Sequence, residues 1–164
     1  MMITNNHLPR RERIMEIMEL AERVESEVNN TLGFDLKQAL LVSVTDGLFG
    51  VELSAPLTHG DVYELLESEA SMELAKRSEY VAIVTCGWAA PIREDDDDDN
   101  QVAPSQHPAR RRVRLVVLAS RSSVSSVLRF SDTPDEVVTD AGKATGSLAD
   151  AIHQLISKTV RNSN

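Results

Sequence analysis

Five groups of residues in this chain have types and spacing that could do chemistry. His59 and Asp61 stand at the start of a helical pattern, where a His beside a carboxylate could act as a general base. The plainer reading is local. Thr58-His59-Gly60-Asp61 has the form of a capping box, and a helix N-terminus lowers the proton affinity of a His placed there. Cys86, followed by Gly87 and Trp88, could be a nucleophile if a His approached it. At the end of an apolar strand it is more commonly an inert filler, because burial raises a thiol's pKa. Lys143 lies in Gly142-Lys143-Ala144-Thr145-Gly146-Ser147 ahead of a helix, a setting that favours anions. A nucleoside-triphosphate loop is rejected, because Ala144 follows the Lys and the earlier Gly of that motif is missing.

The other two groups are made of charge. Arg110, Arg111, Arg112, Arg114 and Arg129, with Arg121, fall on two neighbouring strand patterns and could gather into an anion or nucleic-acid patch. The alternative is ordinary edge-strand charge that discourages aggregation. The run Glu94–Asp99 holds six consecutive acids. A calcium loop spaces its oxygen ligands and includes a turn Gly, and this run does neither, so a solvated loop is expected and no metal site. The same run is a candidate electrostatic mask over Arg110–Arg112, Arg114 and Arg129.

Composition narrows the function classes. Of the net charge of −9, the six acids supply −6, which leaves −3 for the remaining chain. That balance does not favour a duplex-binding surface, and one Trp, two Tyr and three Phe make no base-stacking platform. A single cysteine excludes an internal disulfide and any multi-cysteine zinc site. No apolar run approaches a membrane span, and the first residues lack the pattern of a signal peptide, so a cytoplasmic protein is expected. The excess of Arg over Lys suggests a GC-rich bacterial genome.

The elements that would position these residues can be read from periodicity. Ile14, Ile17, Met18, Ala21, Val24 and Val28 make one helical stripe after Pro9, with Glu12, Glu16, Glu19, Glu22, Arg23 and Glu25 expected largely on the other side. Leu40–Val44 and Leu48–Leu53 flank Asp46-Gly47, the strongest short hairpin signal. A helix is expected from Thr58 to about Lys76. Tyr80–Cys86, apolar on both faces, reads as an interior strand. Val113–Ala119 and Val124–Phe130 follow, and Pro134 and Asp135 end the last of them. Leu148, Ile152, Leu155, Ile156 and Val160 stripe a final helix, with Ser147 and Asp150 as a second capping box.

The sum is one α+β domain over 9–160, with flexible tails at 1–8 and 161–164 and a disordered loop at 93–112. It is a largely antiparallel five-stranded sheet in α-β-β-α-β-β-β-α order, with helices packed on its faces. The first and last helices are expected on the same side. This element order resembles that of roadblock-type and profilin-type regulatory domains. The likeness is one of topology, with no family motif beside it. The expected function is a non-catalytic regulatory or scaffold domain acting through a protein partner, with homodimerisation at apolar edge strands as one form of this. The alternatives are a small hydrolase or transferase using His59, Asp61 or Cys86, or an anion or nucleic-acid binder using the arginines. No cofactor is expected.

Overall fold

The computed structural model describes residues 10–89, 106, 108–140 and 147–158. Its elements are α1 (Arg10–Leu32), β1 (Ala39–Thr45), β2 (Leu48–Ala55), α2 (His59–Glu67), α3 (Glu69–Lys76), β3 (Tyr80–Ala89), β4 (Arg111–Ala119), β5 (Val124–Phe130), β6 (Val137–Asp140) and α4 (Ser147–Lys158). The α+β class and the antiparallel sheet are as expected. The acidic run at 94–99, Lys143 and both tails lie outside the described residues.

The sheet has six strands in the order β2-β1-β3-β4-β5-β6, where five were expected. The added strand is β6. β5 ends at Phe130, and Pro134, four residues further on, sits in a turn and does not close the sheet. The Glu136 N–H donates to the Thr133 carbonyl at 2.8 Å, and the chain reverses. The β-branched residues Val137, Val138 and Thr139 then pair with Arg129, Leu128 and Val127.

The first hairpin closes as the Asp-Gly signal requires. Asp46 has φ of 53° and Gly47 of 75°, so both central residues occupy the left-handed region. β2 carries a bulge opposite Leu41/Val42. After β2 the chain crosses one face of the sheet through α2 and α3, and β3 then pairs antiparallel to β1 on the side away from β2. The single helix expected over this crossing is two. Ser68 breaks it with extended backbone (ψ 153°), and its hydroxyl accepts the Ser71 N–H at 3.2 Å while donating to the Leu65 carbonyl at 2.7 Å. A serine that bonds the backbone on both sides competes with the helix ladder.

Two cores lie on opposite faces of the sheet. On one, Ile17, Leu20, Ala21, Val24 and Val28 of α1 meet Leu40, Val42, Val44, Ala82, Val84, Val116, Leu118 and Val127. On the other, Val62 and Leu66 of α2, Leu74 of α3, and Ile152, Leu155 and Ile156 of α4 meet Leu41, Val81, Ile83 and Val117. The first and last helices are therefore on opposite sides, against expectation. Strand side chains alternate between faces, and β1, β3 and β4 are apolar on both, so each face needs its own helical cover.

α1 also touches both edges of the sheet. Arg23 reaches the Gly47 carbonyl at 3.5 Å and lies 5.6 Å from the Phe49 ring, while Glu22 accepts from the Thr139 hydroxyl at 3.1 Å. Five strand spacings of about 4.8 Å separate β2 from β6, roughly twice the diameter of a helix. α1 reaches across that width through the long side chains of Arg23 and Glu22.

Candidate functional site

His59 and Asp61 belong to α2, which covers one face of the sheet. Cys86 packs on the other face, with Val84 and Val116 in the α1 core. The sheet separates them. Asp61 closes the cap it was expected to close: its N–H donates to the Thr58 hydroxyl at 3.2 Å, and its carboxylate accepts from that hydroxyl. His59 is exposed and its ring lies 4.6 Å from that of Tyr63. The Cys86 thiol donates to the Phe34 carbonyl at 3.7 Å. No group of three His, Cys, Asp or Glu residues able to hold a metal occurs among the described residues.

The arginines do not form one patch. β4 and β5 place Arg114 opposite Arg129, and both point towards α1. Arg114 is 0% exposed. Its Nη2 donates to Glu25 Oε1 at 2.6 Å and Asn29 Oδ1 at 2.9 Å, and its Nη1 donates to the Gly33 carbonyl at 2.5 Å. Arg129 donates to the same carboxylate through Nε and, at 2.8 Å, through Nη2. Its Nη1 donates to the Pro134 carbonyl at 2.6 Å. Glu25 is 1% exposed, where the side of α1 away from the apolar stripe was expected. One carboxylate thus bridges two guanidiniums at the helix–sheet interface. Burial alone would raise the Glu25 carboxyl; the hydrogen bonds from Arg129 and Arg114 outweigh that and hold it below the ordinary glutamate value.

This triad was missed, yet it had a signal. Glu25 stands four residues after Ala21 and three before Val28, so it borders the apolar stripe. Arg114 interrupts a strand that is otherwise apolar on both faces. Charges in such positions are buried only when paired.

Arg111 points to the opposite face. It donates from Nη2 to Asp132 Oδ1 at 2.7 Å and from Nε to Oδ2 at 3.0 Å, lies 3.4 Å from Glu136, and stacks 3.9 Å from the Phe130 ring. Arg110 and Arg112 flank the exposed ring of Trp88, at 5.0 and 5.9 Å, and Asp35 lies 3.9 Å from Arg112. Arg121 holds the Ser78 and Ala75 carbonyls at 3.1 and 3.2 Å. The guanidiniums are divided between two faces and several partners. Arg114 and Arg129, two of the proposed targets of an acidic mask, are engaged inside the fold.

The sheet has two open edges among the described residues, β6 with four residues and the longer β2 with eight, and β2 carries the more exposed apolar side chains. β2 pairs with β1 alone among the described residues, and Leu48 and Val51 are 78% and 53% exposed. Beside it an open groove of about 540 Å³ is lined by Glu19, Glu22, Arg23, Ser26 and Glu27 of α1 and by Phe49 of β2.

Comparison of the chain with protein-family models, with curated proteins and with solved structures finds no match in any of the three. No described helix is long and apolar enough to cross a membrane.

Proposed function

We propose that this is a non-catalytic regulatory or scaffold domain that acts by binding a protein partner along the edge of β2. One observation carries the reading. β2 is an eight-residue edge strand with exposed Leu48 and Val51, and among the described residues nothing pairs its outer side. Such an edge offers a row of backbone donors and acceptors to an incoming strand. The placement of His59 and Cys86 on opposite sides of the sheet supports it further, since a hydrolase or transferase would need them in one pocket. The engagement of Arg114 and Arg129 by Glu25 weighs against the anion-binding alternative.

The test is capture from an extract of the native host by the wild-type chain and by Val51→Lys. Val51 is exposed, so the substitution leaves the cores intact, which circular dichroism checks. A protein held by the wild type and lost by the variant is the expected result. Identical capture by both overturns the reading. A partner that is a second copy of the chain would appear in sedimentation as a dimer sensitive to the same substitution.

A further inference from the structure

We infer that the β2 edge takes an extended, basic segment of a partner protein, added to the sheet as a seventh strand. This rests on the reading of β2 as the docking edge and names the chemistry of what docks there.

The register fixes which side chains an added strand would meet. Phe49 and Val51 pair with Val44 and Val42, so they share the face covered by α1. Leu53 pairs with Leu41, so it faces the side covered by α2 to α4, and Leu48 also lies off the α1 face. A strand laid outside β2 would send alternate side chains to these two sides. On the α1 side they would rise beside the groove lined by Glu19, Glu22, Ser26 and Glu27, all exposed. Arg23, the one cation of that lining, is turned towards Gly47 and Phe49. Glu22 accepts from Thr139 at the opposite edge, so the wall presents the Glu19 and Glu27 carboxylates against one guanidinium already in contact with the hairpin. Lys or Arg residues there would lay their methylene stems over Val51 and reach the carboxylates with their charged ends. On the other side, apolar residues would meet Leu48 and Leu53. The segment that fits alternates basic and apolar residues.

A second copy of this chain fits less well. An isologous β2–β2 pairing would bring two such acidic walls and two exposed Glu52 side chains together, in a chain of net charge −9. Like charges across a strand pair are destabilising.

The test uses the full chain, labelled with ¹⁵N, and two eight-residue probe peptides, one alternating Lys and Val and one alternating Glu and Val. Amide shifts of Leu48–Ala55 report docking. The basic peptide is expected to shift these amides, to lose affinity as salt rises, and to bind roughly tenfold more weakly to Glu19→Lys/Glu27→Lys, the loss two exposed ion pairs would give. The acidic peptide is expected to leave them unchanged. Equal binding of both peptides overturns the basic preference while leaving β2 as the docking edge. Shifts confined to other strands, or no shifts at all, overturn the inference, and the Val51→Lys capture then judges the docking edge by itself. A dimer in sedimentation that Val51→Lys abolishes also overturns it, in favour of a second copy.

Discussion

Arg114, Glu25 and Arg129 show how one residue can change the meaning of a charge pattern. In the sequence the arginines read as a surface cluster, but a carboxylate from α1 draws two of them inward. Removing that carboxylate would leave two guanidiniums at the interface with only neutral acceptors. Glu25→Ala is expected to cost about 3–5 kcal/mol, measured by denaturant unfolding. The same carboxyl links stability to pH. Its folded pKa is depressed, so its contribution is fully present above the unfolded value of about 4.3 and is lost as pH falls through the folded value. Unfolding free energies measured from about pH 6 down to about pH 3 should fall, and the Glu25→Gln variant should show a shallower slope over that window. Asp132 and Glu136, held below their ordinary values by hydrogen bonds from Arg111 and Thr133 respectively, titrate in the same direction from the surface and remain in the variant. Gly47, at φ of 75°, is the other residue whose type is dictated. Space is free around it, so backbone conformation alone opposes a side chain. Gly47→Val should cost about 1 kcal/mol or more. Unchanged thermal stability would count against the turn.

At the scale of elements, the decisive features are breaks. Ser68 divides the α2–α3 crossing, and the turn Thr133–Glu136 adds β6 where a proline suggested an ending. Both were legible in outline. Serine competes for backbone hydrogen bonds, and a Pro-Asp turn ahead of Val-Val-Thr is a hairpin signal in its own right. α4 illustrates the opposite case, a stripe whose existence was plain and whose address was not. Leu155 is 4% exposed in the core that α4 shares with α2 and α3. Leu155→Ala should lower stability by about 2–5 kcal/mol in denaturant titration. A loss well below that range would place Leu155 at the periphery.

At the scale of the whole molecule, one six-stranded sheet holds α1 on one face and three helices on the other. Ala89 pairs with Arg111 at the open end of the β3–β4 ladder, so the two strands can be joined by a much shorter connection. Deleting 94–106 should leave the fold intact, with a melting temperature unchanged or slightly higher, because loop-closure entropy varies slowly with length. Trp88, the one tryptophan of the chain, lies at that end and reports the local packing by its fluorescence. The deleted form is also expected to show no salt-sensitive binding to heparin. Arg114 and Arg129 are spent on Glu25, and Arg111 on Asp132 and Glu136. Strong salt-sensitive binding after deletion would restore the mask and the anion-binding reading with it.

What the sequence alone determined was local. The α1 stripe, the Asp46-Gly47 turn, the Thr58 cap, the buried β3 and the extent of β5 each depend on contacts within a few residues, and each is written in spacing or turn chemistry. The assignment of faces was not local. Strands β1, β3 and β4 are apolar on both sides, so periodicity could not say which helix covers which. The pairing of Glu25 with Arg114 and Arg129 spans 89 and 104 residues and follows from strand register and the placement of α1 over β4 and β5. For the same reason the candidate site moved. His59, Asp61, Cys86 and the arginines were chosen by residue type, while the β2 edge is defined by the absence of a neighbour among the described residues, a property only the assembled sheet possesses.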